Sequence, residues 1–271
     1  MDRIQNAIAK ARASRDGSIT GHRAGKANLP QPSKAGVDWS TLTELRLSPT
    51  VLDDNRLVAH RSGPDSTVFD LMRINLVRQL QEHRWTRVAI TSPGVGCGKT
   101  TVALNLAFSL ARLTDIRVMV LELDFRRPTM LRAFGLNRRQ NFAGVLAGIE
   151  QPEDQITRWG RNLAFGLNSA QVPNSAELLS SDLAADIVDV IEDSFRPDVM
   201  LFDMPPMNVG DDTLAFVDQV DCALMIAAAE ETPISQIQQC GKELAAHTQV
   251  LGVVLNKCRM IASGENYGYD T

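Results

Sequence analysis

The residues best suited to chemistry in this chain lie in one run, Ser92-Pro93-Gly94-Val95-Gly96-Cys97-Gly98-Lys99-Thr100-Thr101. Glycines let successive backbone N–H groups converge on phosphate oxygens, and a helix opening on Gly-Lys-Thr adds its partial positive charge. On this reading Gly94, Val95, Gly96, Cys97, Gly98, Lys99, Thr100 and Thr101 surround a nucleotide's phosphates, with Lys99 reaching the β and γ phosphates and Thr100 holding Mg²⁺. Between Lys34 and Lys242, Lys99 is the only lysine. A chain that otherwise uses arginine there has reason to place a compact ammonium at that point. The consensus G-x-x-x-x-G-K-[ST] has glycine where this chain has Pro93, so the entry of the loop is altered while its Gly-Lys-Thr end is intact. A G-x-G-x-x-G pattern is absent, which argues against dinucleotide binding.

Two further runs carry carboxylates at the ends of apolar stretches. In Leu121-Glu122-Leu123-Asp124-Phe125-Arg126 an extended backbone points Glu122 and Asp124 to the same side, so both acids and Arg126 are expected to face the phosphates. In Leu201-Phe202-Asp203-Met204-Pro205-Pro206 the acid stands where a second-shell or direct Mg²⁺ ligand is needed. Arginines 117, 126, 127, 132, 138 and 139 cluster around the second run. Beyond Arg126 they read as solvated surface charge. The four histidines have no metal-ligand spacing.

These residues need a scaffold. Residues 88–91, 118–121, 199–202, 222–226 and 251–255 are short continuous apolar runs, as strands buried on both faces are. Helical stretches at 101–113, 176–193 and 233–247 separate them, which predicts an α/β fold with a doubly wound, mainly parallel sheet and helices on both faces. Ligands bind such folds at the C-terminal ends of the strands, where the three runs end. Upstream, Phe69, Met72, Leu76 and Leu80 predict an amphipathic helix. The expected organisation is a short amphipathic helix at 1–13, a linker at 14–38, an irregular lead-in at 39–64, a nucleotide-binding domain at 65–258 and a tail at 259–271.

Composition sets the outer limits. The 271 residues are 44% hydrophobic and 22% charged with a net charge of −4, which argues for a globular chain and against a nucleic-acid partner. Four widely spaced cysteines without a C-x-x-C pair suggest a reducing compartment, and no stretch approaches a membrane span. The expected location is cytoplasmic, with any membrane association indirect through a partner at the inner face of the plasma membrane. The two tyrosines, Tyr267 and Tyr269, both lie in the last five residues.

Together these motifs resemble the bacterial tyrosine kinases that control capsule and exopolysaccharide synthesis, whose P-loop fold is related to the MinD and ParA ATPases. The resemblance spans residues 65–258 and the tail. It is carried by Ser92–Thr101, by Glu122, Asp124 and Arg126, by Phe202-Asp203-Met204-Pro205-Pro206, and by Val172-Pro173-Asn174-Ser175-Ala176-Glu177-Leu178-Leu179. Asp212 falls where the family has an Asp, and Asn256, closing Val253-Val254-Leu255, matches the Asn that reads adenine.

The resemblance implies ATP and Mg²⁺ as cofactors, with the ion held by Thr100 and assisted by Asp124 and Asp203, and autophosphorylation of Tyr267 and Tyr269. Asp124 or Glu122 is then the base, and Lys99 and Asp203 complete the catalytic set. It further implies a membrane chain-length regulator, or polysaccharide co-polymerase, as partner, and a homo-oligomer. The sequence departs from the family at Glu122, where Asp is usual, and at Thr67, Asp70 and Arg73, where the assembly motif E-x-x-R-x-x-R is expected. Two other readings are a nucleotide-binding regulatory module of an export complex without kinase activity and a MinD- or ParA-like positioning ATPase. The latter's signature lysine is Gly94 here.

Overall fold

In the computed structural model, residues 36–258 are described. The amphipathic helix expected at 1–13, nearly all of the linker, and the tail with Tyr267 and Tyr269 lie outside them. Eight strands form one sheet: β1 (Thr43–Glu44), β2 (Arg87–Thr91), β3 (Val118–Glu122), β4 (Ile156–Trp159), β5 (Leu163–Gly166), β6 (Val199–Asp203), β7 (Cys222–Ala228) and β8 (Gln249–Asn256). Their order is β1-β4-β5-β3-β6-β2-β7-β8, parallel throughout except for the antiparallel β4/β5 pair. The five apolar runs of the sequence are β2, β3, β6, β7 and β8. The short strands β1, β4 and β5 lie on the side that no sequence pattern announced. The stretch read as an irregular lead-in thus supplies an edge strand, with Thr43 paired to Thr157 and Glu44 to Arg158.

Alternation within the central strands explains why they are apolar throughout. Val88, Ile90, Val118, Val120 and Leu201 belong to the core on one face, under α1 (Thr67–His83) and α2 (Lys99–Ala111). Ala89, Met119, Leu121, Met200 and Phe202 belong to the core on the other, under α3 (Asp182–Phe195) and α4 (Ile234–Ala245). With both faces covered there is no solvated side for polar residues to occupy. Each large side chain buried this way contributes about 2 kcal/mol of transfer free energy.

The helix expected over 176–193 is two helices. Ser175–Leu179 ends at Ser180, and α3 begins behind Ser181, whose hydroxyl accepts the Ala184 N–H at 3.1 Å as an N-cap. At the far end α3 closes on Arg196 with φ 49°, the left-handed conformation common at helix C-termini.

Helix α1 carries the positions of the assembly motif. Asp70 accepts from Ser109 Oγ at 2.6 Å and Arg112 Nη1 at 2.8 Å, and Arg73 Nη1 donates to the Ser109 carbonyl at 2.8 Å. Both charges are therefore engaged within the chain, against α2.

Candidate nucleotide site

Three neighbouring parallel strands, β3, β6 and β2, end side by side, and the turns after them form the site. The loop after β2 is held from its base: Met207 N–H donates to the Ser92 carbonyl and Asn208 N–H to the Pro93 carbonyl, at 2.8 and 3.0 Å. Pro93 lacks a donor but its carbonyl is used, which is how the altered loop entry is accommodated. Thr91 Oγ1 and Thr213 Oγ1 both donate to the Pro205 carbonyl at 2.8 Å, tying β2 to the turn that follows β6. Gly96 and Gly98 sit at φ 79° and 89°, backbone conformations that side chains other than glycine's disfavour. Gly98 then caps α2, whose first residue is Lys99.

Lys99 is buried, and its ammonium lies 2.7 Å from Asp124 Oδ2 and 3.6 Å from Asp203 Oδ1. Burial works against its charge, but Asp203 and Asp124 outweigh it and hold the lysine's pKa above its ordinary value. Asp203 is fully buried, and desolvation raises its pKa despite Lys99 and the 2.7 Å hydrogen bond it accepts from Thr100 Oγ1. Its other oxygen, Oδ1, has no hydrogen-bond partner. An orphaned buried carboxylate oxygen beside a threonine hydroxyl and a second carboxylate is a donor set that suits a hard divalent cation.

Glu122 does not face this site. Strand β3 ends at Glu122, so the alternation that would put it beside Asp124 stops there. Its side chain is wholly buried and accepts from Thr129 N–H at 2.6 Å and Met130 N–H at 2.8 Å on one oxygen, and from Asn168 N–H at 2.9 Å on the other. Burial pushes its pKa up to about 7 against those hydrogen bonds. Glu122 thus anchors the 123–130 turn from beneath. Asp124, by contrast, lines the cavity, and its Oδ1 accepts the Arg127 N–H at 3.1 Å.

Arg126 spans from the cavity to Asp212, where its Nε donates to Oδ2 at 2.6 Å. Asp212 is buried and also accepts from the Ser175 hydroxyl. The guanidinium passes so close to Gly210 that a Cβ there would stand 2.8 Å from Nη2. Ser175 entered the sequence reading only within the 172–179 stretch and Gly210 not at all, because they lie 49 and 84 positions from Arg126. Asn256 at the end of β8 donates Nδ2 to the Cys97 carbonyl at 2.8 Å, packing against the loop. Its Oδ1 takes no hydrogen bond among the described residues.

The resulting cavity, about 310 Å³, is lined by Val95, Gly96, Gly98, Lys99, Thr100, Thr101, Asp124 and Arg126, and also by Arg127, Thr129, Arg132, Pro205, Pro206 and Val209. Gly94, Cys97, Glu122, Asp203 and Asn256 do not line it, although Cys97 and Asn256 support the loop and Asp203 the Lys99–Thr100 pair. Among the described residues no helix is long and apolar enough to cross a membrane. All four cysteines are free thiols.

The EpsB protein of Ralstonia nicotianae is 27% identical over 217 residues, which is 79% of this chain and 28% of that protein. The chain therefore spans little more than a quarter of that relative's length. Tyrosine-protein kinase YwqD of Bacillus subtilis is 27% identical over 207 residues, 76% of this chain and 86% of that one. The solved kinase domain of the Escherichia coli tyrosine kinase ETK superposes with a TM-score of 0.66 at 23% identity, covering 76% of this chain and 80% of that domain, and so shares the fold. A family model described as "ParA: NUBPL iron-transfer P-loop NTPase" matches residues 85–268, which include the phosphate loop and every strand from β2 to β8. The chain accordingly belongs to the ParA family of P-loop NTPases.

Proposed function

We propose that this protein is an ATP-dependent protein tyrosine kinase whose acceptors are its own Tyr267 and Tyr269. The observation that carries this reading is Asp124. It is a carboxylate mounted on the rim of the phosphate loop, within hydrogen-bond distance of the loop lysine and open to the cavity beyond it. A hydrolase needs only a water there, whereas the lining also includes Pro205, Pro206 and Val209, apolar side chains that suit an aromatic acceptor. The relatives named tyrosine-protein kinases point the same way.

Phosphoryl transfer is mostly positioning and charge neutralisation. Lys99 and the loop N–H groups bind the β and γ phosphates. Thr100 and Asp203 are the residues that would hold Mg²⁺, with Asp124 the nearest further carboxylate; when bound, the ion offsets the charge of the phosphates. Arg126, steadied by Asp212, reaches the same cavity. Asn256 presents Oδ1 as an acceptor for the exocyclic amine of adenine. The tyrosine Oη attacks the γ-phosphorus, the Oη–P bond forms as the bond to the β-phosphate oxygen breaks, and ADP leaves. Asp124 takes the phenolic proton, since it lines the cavity, whereas Glu122 is wholly buried outside it and bound to the backbone of the turn.

Strand β8 ends against the phosphate loop through Asn256, and Tyr267 follows nine residues after Cys258, a contour of about 30 Å. By the resemblance, the setting is exopolysaccharide or capsule synthesis, with a membrane-embedded chain-length regulator as the partner that brings the protein to the inner membrane face. The test is phosphotyrosine mass spectrometry on protein incubated with Mg-ATP, with and without such a partner. Wild type should acquire tail phosphate; Lys99→Met and Tyr267→Phe/Tyr269→Phe should not, the double variant still binding nucleotide. Phosphotyrosine absent from wild type under every condition would sink the kinase and leave a nucleotide-binding regulatory module.

A further inference from the structure

Four cationic side chains line the cavity, and two of them are already neutralised. Lys99 is paired with Asp124 and Asp203, and Arg126 with Asp212. Arg127 and Arg132 line the same cavity, are exposed, and have no carboxylate partner among the described residues. The sequence read them as ordinary surface charge, since Arg127 is one residue from Arg126 and Arg132 lies in the next helix. Folding turns both toward one space.

The turn that carries them is fixed: Glu122 Oε1 accepts the Thr129 and Met130 N–H groups, and Asp124 accepts the Arg127 N–H. Their positive field is thus held in place relative to the phosphate loop. The same lining includes apolar side chains, Pro205, Pro206 and the exposed Val209 (42%) and Val95 (52%). A surface with an apolar slot beside two unneutralised guanidiniums fits a ring flanked by carboxylates. This chain contains such a segment, Glu265-Asn266-Tyr267-Gly268-Tyr269-Asp270.

We propose that Arg127 and Arg132 form the acceptor-recognition site, which selects tyrosines flanked by acidic residues and takes the 265–270 segment of this protein as its occupant. The inference rests on the kinase reading for its biological use, but not for its test. Arg127 and Arg132 are positioning residues here: they hold the acceptor and touch neither the nucleotide nor the transferred phosphoryl group.

The experiment uses the full chain carrying Glu265→Gln and Asp270→Asn, so that its own tail does not compete. Binding of a fluorescein-labelled peptide with the native sequence of residues 263–271 is compared, by anisotropy with Mg-ADP present, with that of the same peptide bearing the two neutral substitutions. The acidic peptide should bind about tenfold more tightly, two exposed charge pairs each contributing a few-fold, and the preference should shrink as salt is raised. Adding Arg127→Gln/Arg132→Gln should abolish the preference while ADP affinity stays within about twofold, the retained ADP binding also reporting a folded protein.

Equal binding of the two peptides by the parent chain overturns the proposal, whatever the arginine variant does. A variant that loses ADP affinity while keeping its peptide preference assigns the arginines to nucleotide phosphates and overturns it too. Peptide phosphorylation is followed in parallel: a charge preference without any transfer removes the kinase reading and leaves the recognition site standing.

Discussion

Lys99 Nζ and Asp124 Oδ2 lie 2.7 Å apart, both buried, so the lysine that should meet the phosphates is held by a carboxylate from the turn after β3, across β6 from the strand that leads to the loop. Nucleotide binding must therefore compete with this ion pair. Removing the charge of Asp124 leaves Lys99 with Asp203 alone, at the longer distance of 3.6 Å. Asp124→Asn should tighten Mg-ADP binding by a few-fold while phosphate transfer falls by at least about a hundredfold, the ordinary loss for a missing general base. Lys99→Met leaves two buried acids without their cation and should weaken ADP binding by about a hundredfold or more. A fluorescent-nucleotide titration of both variants decides. Equal weakening in the two would show that the pair does not oppose binding.

Gly98 combines φ 89° with an Asn256 Nδ2 that would lie 2.2 Å from any Cβ. Gly98→Ala should cost about 1–3 kcal/mol of stability and displace Asn256 from the Cys97 carbonyl. In Gly98→Ala/Asn256→Ala the clash is relieved but the backbone strain remains. The double variant should recover part of the lost Tm and none of the nucleotide affinity, as read by thermal unfolding with and without Mg-ADP.

Burial pushes the Glu122 carboxyl from 4.5 up to about 7. Between those values the folded chain holds a proton that the unfolded chain has released, so the contribution of Glu122 is present at low pH and is lost as pH rises to 7. The expected size is roughly 3 kcal/mol across the window. Other acids titrate too, so the diagnostic is the difference between wild type and Glu122→Gln in urea unfolding at pH 5 and pH 8. Glutamine keeps the acceptor for Thr129 and Met130 but turns a donor toward the Asn168 N–H, so the variant should be less stable at both pH values. Its deficit should be larger at pH 5. A deficit independent of pH would show that Glu122 is ionised throughout.

Asp212 is wholly buried and receives both Arg126 and Ser175. Asp212→Asn leaves Arg126 with only the exposed Asp211, 3.8 Å away, and should raise the KM for ATP several-fold, with a stability loss of about 1–3 kcal/mol. Ser175→Ala should lose less stability and shift KM in the same direction, because only the carboxylate's orientation suffers. A KM unchanged in both variants would separate Arg126 from nucleotide binding.

The sequence by itself determined the scaffold and the phosphate loop. Strands covered on both faces must be apolar throughout, so β2, β3, β6, β7 and β8 are legible as runs, and a glycine loop between strand and helix is local in sequence. The strands β1, β4 and β5 escaped because two to four residues carry too little periodicity to stand out. For the acids, spacing located Asp124 and Asp203 but misdirected Glu122. Alternation holds only while the backbone is extended, and β3 stops at Glu122, freeing its side chain to bind the turn that follows. The engagement of Asp70 and Arg73 with α2, the Ser175–Asp212–Arg126 chain, and the turning of Arg127 and Arg132 into the cavity were decided by tertiary structure alone. Each depends on groups distant in sequence meeting in a space that no local propensity encodes, where charge and desolvation settle which partner is taken.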